Sequence, residues 1–313
     1  MTAVLRTEAL TKRFGRTEAL RGVTFEVPEG AIYALVGANG AGKTTLIKLL
    51  MNIFLPTEGR AEVLGTASKH LAGRALNRIG YVSENQEHPE WMTVRQVLSY
   101  LRPFYPKWDR ALEAYLVEQF NLPLGRKLRQ LSRGMRMKTA MVAALAFRPS
   151  LLVLDEPFSG LDPLVRDELI EGLLDRAQET TIFLSSHDLA EIESFSTHVG
   201  FLEQGRLLFS EELPALSERF REVTVTLETP AEVRQMPPEW LGYEQSKEVA
   251  RFVHSRWLGA ESMADLKTVF PAARNLTAEP MTLRSIFLAI ARSRRGERAA
   301  RPIAAETEER SRA

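Results

Sequence analysis

Cysteine is absent from the 313 residues. Its absence excludes disulfide scaffolds, thiolate metal sites and cysteine nucleophiles, and it suits a reducing compartment. Long apolar runs are missing as well. A transmembrane helix needs about 20 mostly apolar residues in succession. The longest uncharged stretch near the start, Gly30 to Gly42, is broken by glycines. The opening segment Met1-Thr2-Ala3-Val4-Leu5-Arg6-Thr7-Glu8 reaches charge too early for a secretion signal. These features predict a cytosolic chain, in which any membrane-spanning part belongs to another polypeptide. An excess of one charge is also lacking: 41 Lys and Arg face 40 Asp and Glu, for a net charge of +1. No global field therefore recruits nucleic acid or anionic lipid.

What is present is the composition of a folded protein. Apolar residues make up 44% and charged residues 26%, which excludes a wholly disordered chain. The length predicts one large domain with a smaller one, or two of similar size. Over the first two-thirds, strand and helix patterns alternate. Val23, Phe25 and Val27 alternate with polar neighbours, as a half-buried strand does. Ile32-Tyr33-Ala34-Leu35-Val36 and Leu151-Leu152-Val153-Leu154 are short apolar runs that predict buried strands. Ile79–Ser83 and Thr181–Ser185 read as further strands, and Val199–Leu208 as a hairpin turning at Gln204-Gly205. Helices are predicted over 44–53, 109–120 and 134–147, with a capping box at Thr93-Val94-Arg95-Gln96. Strands separated by helices predict an α/β fold with a mostly parallel sheet. The mostly helical stretch 86–146 reads as an inserted subdomain.

The expected domains are thus 1–219 for the large unit and 220–293 for a small α+β domain. The small domain has a strand at Val223–Leu227, another at Arg251–Trp257 and a helix at Leu283–Ala291. Residues 294–313, rich in Arg, Glu and Ala, are expected to be disordered.

Two segments carry chemistry. Gly37-Ala38-Asn39-Gly40-Ala41-Gly42-Lys43-Thr44-Thr45 fits the phosphate-loop pattern G-x-x-x-x-G-K-[ST], after a buried strand and before a helix. Its glycines let main-chain N–H groups ring a phosphate, and the helix start adds its positive dipole end. Lys43 places a cation on the β- and γ-phosphates, and the Thr44 hydroxyl ligates Mg²⁺. The apolar strand ending in Asp155-Glu156 would then supply a Mg²⁺-holding aspartate and a general base. Without the phosphate loop, such an acidic strand end is ordinary.

Further segments narrow the class. Leu131-Ser132-Arg133-Gly134-Met135 precedes a helix, Ser159-Gly160-Leu161-Asp162 follows the acidic pair, and His187 stands after Leu184-Ser185-Ser186. In this order and spacing, residues 4–215 resemble the ATP-binding cassette (ABC) ATPases. The resemblance implies a P-loop ABC ATPase fold with an antiparallel β region beside the mostly parallel sheet. It implies that Phe14 stacks on adenine, although core packing would also explain an aromatic there. It makes Asp155 a metal-holding aspartate, Glu156 the base, His187 a contact to the γ-phosphate, and Asp162 part of a loop that communicates across a dimer. Asp162 also reads as a plain helix N-cap. Ser132 and Gly134 match the signature motif Leu-Ser-Gly-Gly-Gln, while Arg133 and Met135 depart from it. Glu84 stands after Ile79-Gly80-Tyr81-Val82-Ser83, where the family has glutamine, and Gln86 lies two residues on. A carboxylate there accepts from a metal-bound water but cannot donate as an amide does, so Glu84 joins Thr44 and Asp155 as a candidate metal contact.

The resemblance further implies ATP and Mg²⁺ as ligands and a homodimer, or a pair with another ABC subunit, closing over ATP. It also implies a separate integral membrane permease. That places the chain in the cytoplasm, peripheral on the cytoplasmic face of the cell membrane. The segment Glu279-Pro280-Met281-Thr282-Leu283 followed by Ile286-Phe287-Leu288 resembles the end of export-type members, and also reads as a capped amphipathic helix. A soluble ABC ATPase working on ribosomes or DNA stays open as an alternative, though no nucleic-acid partner is expected without a basic excess. A GTPase would carry Asn/Thr-Lys-x-Asp, and the Lys107-Trp108-Asp109 segment follows Pro106 instead.

Overall fold

In β1 (Ala3–Phe14) and β2 (Thr17–Pro28), side chains alternate between core and solvent. Val23, Phe25 and Val27 are buried with exposed Thr24 and Glu26 between them, as the alternation predicts. The two strands pair antiparallel, with Leu5 opposite Val27 and Thr7 opposite Phe25. β3 (Ile32–Val36) is buried at every position. It leads through the glycine-rich loop into α1 (Lys43–Leu50). This helix is shorter than predicted. Asn52 takes a left-handed φ of 56°, which ends helical progression ahead of Pro56.

The computed structural model describes residues 2–84, 88–228 and 236–300, without the side chains of 294–300. β4 (Glu58–Val63) and the short β5 (Thr66–Ala67) extend the antiparallel sheet to the order β2-β1-β4-β5. After β6 (Ile79–Val82) come three helices: α2 (Val94–Leu101), α3 (Arg110–Gln119) and α4 (Arg133–Leu145). Thr93 caps α2 in the capping box that its sequence predicts. Asp109 caps α3 by accepting from Ala111 and Leu112. The chain then re-enters the sheet at β7 (Leu151–Asp155), crosses α5 (Pro163–Leu174), and continues through β8 (Thr181–Ser186) and α6 (Leu189–Glu193). The hairpin of β9 (His198–Glu203) and β10 (Arg206–Glu212) closes the unit. Its turn residues Gln204 and Gly205 have φ of 48° and 78°, the signs a two-residue type I′ turn requires.

The second sheet has the order β10-β9-β3-β8-β7-β6. Pairings from β9 through β6 are parallel, and only β10 runs antiparallel. β3, β7 and β8 are buried at every position, which is why they read as apolar runs rather than alternations. The β3, β7 and β8 strands end side by side, with Val36 opposite Ser186 and Asp155 opposite Ser185. Three chemistry-bearing segments therefore meet at the C-terminal ends of these central strands.

The chain divides into units of residues 1–212 and 213–313. The second begins with α7 (Leu213–Arg219) and β11 (Arg221–Leu227). β12 (Trp240–Gln245), β13 (Val249–His254), α8 (Ala260–Val269), β14 (Ala273–Pro280) and α9 (Leu283–Ala300) follow. The four strands form an antiparallel sheet ordered β12-β13-β11-β14. Its core joins Val223, Val225, Trp240, Phe252, Leu266 and Phe270, with the Trp240 and Phe252 rings stacked at 4.1 Å. The strand expected at 251–257 starts two residues earlier and ends at His254. β14 is invisible in the sequence, because Arg274, Asn275 and Pro280 are poor strand formers. It is held by pairing with β11, Val223 opposite Ala278. α9 carries helical backbone to Ala300, into a stretch whose composition predicts disorder from 294 onward. The rest of that tail, 301–313, lies outside the described residues, as does Gln86.

Gly200 shows how tightly the parallel sheet is packed. A methyl group placed there would overlap the Tyr33 hydroxyl and come within 3.0 Å of the ring. Tyr33 is fully buried and its hydroxyl is bonded to Ser210 Oγ at 2.8 Å. Gly200→Ala should therefore lower stability by about 1–3 kcal/mol, read as a lower urea midpoint at unchanged slope. In a Tyr33→Phe background the same substitution should cost less. Equal costs in both backgrounds would refute the overlap.

Candidate phosphate-binding site

The loop between β3 and α1 is built to receive an anion. Gly42 precedes α1 with a left-handed φ of 111°, no side chain caps the helix, and its first turn carries no acidic residue. The first N–H groups of α1 are thus left for a ligand, at the positive end of the helix dipole. Gly37 has no room for a Cβ, which would overlap the Leu202 carbonyl, and Gly37 N–H donates to the Ser186 carbonyl at 3.3 Å. A cavity of about 550 Å³ opens on this loop. Asn39, Gly40, Gly42, Lys43, Thr44 and Thr45 line one side of it, and Glu84 and Glu156 another.

Lys43 is 5% exposed, and its ammonium is held on three sides. It donates to the Gly37 carbonyl at 2.6 Å and the Ala38 carbonyl at 3.3 Å, and lies 3.0 Å from Glu156 Oε1. That last contact is ionic without hydrogen-bond alignment, so Glu156 Oε1 has no hydrogen-bond partner. The other carboxylate oxygen, Oε2, lies 2.8 Å from His187 Nδ1. His187 is 43% exposed, so this side of Glu156 reaches toward solvent. Glu156 itself has φ of 51°, a left-handed conformation unusual for a non-glycine residue. It is fixed by the donation of Glu156 N–H to Ser185 Oγ at 3.0 Å.

Asp155 is buried beside Glu156. It accepts from Ser185 Oγ at 2.7 Å and from Thr44 Oγ1 at 3.2 Å. Burial pushes its carboxyl above the usual aspartate range; these two donors oppose the rise, and the Glu156 and Glu84 carboxylates add to it. Ser185 thus bridges the two acids, a role that sequence reasoning missed. The only signal is its register opposite Asp155, which becomes visible once β7 and β8 are known to be neighbours. Thr17, Glu18 and Arg21, which also line the cavity, lacked any sequence signal, and Gln204 was legible only as a hairpin turn.

Of the remaining expected residues, Glu84 lines the cavity and Phe14, Ser132, Gly134 and Asp162 do not. Phe14 is 44% exposed at the end of β1, edge-on to Phe54 at 5.3 Å with Lys12 Nζ 4.9 Å over its ring. It does not line the cavity. Ser132 caps α4 by accepting from Met135 N–H at 3.2 Å. Gly134 is buried against Val165, and Asp162 caps α5 by accepting from Val165 N–H at 3.1 Å. Ser132, Gly134 and Asp162 therefore form one cluster, apart from the cavity lining. Glu84 lines the cavity, and its carboxylate lies 3.4 Å from Arg133 Nη2. Among the described residues no group of three or more His, Cys, Asp and Glu is arranged to hold a metal, and no helix is long and apolar enough to cross a membrane.

A phosphate loop between a parallel strand and a helix, with an acidic pair at the end of β7 in the same sheet, defines a P-loop nucleotide-hydrolysing domain. Comparison with known proteins narrows this further. The ABC transporter family model matches residues 20–159. The bacitracin transport ATP-binding protein BcrA of Enterococcus faecalis is 34% identical over 231 residues, covering 72% of this chain and 74% of that protein. A solved ATP-binding subunit of an ABC transporter superposes with a TM-score of 0.63 at 29% identity, over 68% of this chain and 91% of the other. A dimeric ATP-binding cassette in a post-hydrolysis state, bound to ADP and Pi, shares the fold with a TM-score of 0.60 at 22% identity, over 67% and 98%. The chain belongs to the ABC transporter ATP-binding proteins, and it is an ATPase.

The buried charges generate two expectations. Lys43→Met leaves Glu156 Oε1 buried without its cation, and breaking a buried pair in this way costs about 3–5 kcal/mol. The double variant Lys43→Met/Glu156→Gln should be more stable than Lys43→Met alone in nucleotide-free unfolding experiments. The second concerns Asp155. Its raised pKa means that the folded chain holds this proton more tightly than the unfolded chain does. The resulting stability is present at low pH and is lost as pH rises from the model-peptide value of 3.8 through the raised value. Asp155→Asn should flatten that loss in a pH series of unfolding midpoints. An unchanged slope would assign it to another group.

Proposed function

We propose that this ATPase powers export through a separate membrane-spanning partner, working as a pair of cassettes that close over ATP. One observation carries the paired arrangement. Ser132, Gly134 and Asp162 stand together at the starts of α4 and α5 but do not line the phosphate cavity of their own chain. The Ser132 hydroxyl and the first N–H groups of α4 then face the γ-phosphate held by a second chain. The similar cassette bound to ADP and Pi is itself dimeric. The related bacitracin transport ATP-binding protein supports a transport role, in which this chain sits on the cytoplasmic face of the membrane beside a separate permease.

Within the cavity, main-chain N–H groups from Gly37 to Thr45 take the phosphates of ATP. Lys43 exchanges its contact with Glu156 for the β- and γ-phosphates. Glu156, freed of its cation, accepts a proton from the attacking water at Oε1 or Oε2. His187 supports the γ-phosphate from the solvent side, and Phe14, exposed at the end of β1, receives adenine. Thr44 Oγ1 and Asp155 Oδ1, hard oxygen donors 3.2 Å apart, fit Mg²⁺, with Glu84 on the cavity wall as a further contact. The Glu156 and Glu84 carboxylates lie close enough to act on Asp155, so a cation between these groups would be favoured. Bound there, Mg²⁺ would neutralise the charge that develops on the phosphates.

Glu156→Gln should bind ATP, turn it over at least about 100-fold more slowly, and accumulate as a dimer in size-exclusion chromatography with ATP. Turnover near the wild-type rate would remove Glu156 from the base role. Affinity purification from detergent-solubilised membranes should recover a polytopic membrane protein; recovery only as a free cytosolic species would overturn the transport role.

A further inference from the structure

The chain departs from the signature pattern at Arg133 and from the expected glutamine at Glu84, and the structure brings these two departures together. Arg133 Nη2 lies 3.4 Å from Glu84 Oε1. The same guanidinium lies against Gly160: a Cβ there would stand 3.0 Å from Nη1 and 3.4 Å from Cζ. Gly160 has φ of 67°, so the loop turns under the guanidinium without a side chain in the way. Arg133 is the first residue of α4, directly after the Ser132 cap. Glu84 follows β6 and lines the phosphate cavity. One side chain therefore joins three segments: the start of α4, the end of β6 and the loop after Glu156.

An unneutralised arginine beside Ser132 would change the charge that α4 presents to an incoming phosphate. Glu84 supplies the compensating carboxylate. We propose that Arg133 and Glu84 form a charge clasp, with Arg133 a positioning residue for hydrolysis. The clasp neutralises Arg133 and holds Ser132 and Gly134 in a fixed pose relative to the cavity wall. How that pose meets a nucleotide rests on the paired-cassette reading above; the clasp itself lies within one chain and is tested there first.

The pair is 47% and 38% exposed, so salt screens it and its effect is modest. In the nucleotide-free chain, Arg133→Ala and Glu84→Gln should each speed amide hydrogen exchange in the first turn of α4, at Met135, by about two- to fivefold. The double variant should be no faster than either single, and 0.5 M salt (~4 Å screening length) should speed the wild type but not the variants. In steady-state ATP hydrolysis, Arg133→Ala should lower kcat by about two- to fivefold with KM little changed. Arg133→Lys should restore part of the loss. Exchange that is unchanged in Arg133→Ala, or two effects that multiply in the double variant, would overturn the clasp. Altered exchange with wild-type kcat would overturn its part in hydrolysis. Failure of Glu156→Gln to form an ATP-bound dimer would instead count against the paired site, and would leave the exchange result standing.

Discussion

The site is organised around a lysine ammonium buried with a carboxylate. Lys43 is almost wholly buried, and two loop carbonyls with Glu156 hold its ammonium. A buried cation is stable only while such partners hold. The glycine-rich loop, the left-handed Glu156 and the bridging Ser185 all serve to keep those partners within reach. The arrangement is also one of substitution. Under the proposed mechanism, phosphate oxygens offer the same ammonium a stronger partner, and taking it releases the glutamate. Burial of the pair would then keep both groups together until a phosphate arrives.

The sheet makes this meeting possible. Parallel strands β3, β8 and β7 are neighbours in space but distant in sequence, and their ends lie level. Lys43 follows the first, His187 the second and Glu156 the third. The antiparallel hairpin of β9 and β10 adds Gln204 and Gly205 to the cavity rim. The signature serine and glycine arrive on a separate helical insertion, next to the α5 cap rather than the cavity. The phosphate loop and the Ser132 cluster therefore stand on different parts of one fold.

Most of this framework is legible in the sequence. The phosphate loop, the apolar strand ending in Asp155-Glu156 and the hairpin at Gln204-Gly205 depend on local chemistry, and local chemistry is what sequence patterns record. Ser185 is different. Its importance comes from β7 lying beside β8, a pairing between residues 30 apart that no local pattern encodes. The same holds for β14, whose residues are poor strand formers and become a strand through β11. The Arg133–Glu84 contact was also illegible as a pair, although each residue stood out singly as a departure from the family pattern.

Consecutive residues of an extended strand point to opposite faces. Asp155 and Glu156 are consecutive, yet one meets Thr44 and the other Lys43, two neighbours on a single helix turn. The left-handed backbone at Glu156 is what swings the second carboxylate round to join the first. Spacing at this corner is therefore stricter than chemistry. Exchanging an acid for its amide keeps the framework, whereas inserting or deleting one residue between β7 and the following loop would send the glutamate out of reach of both its partners.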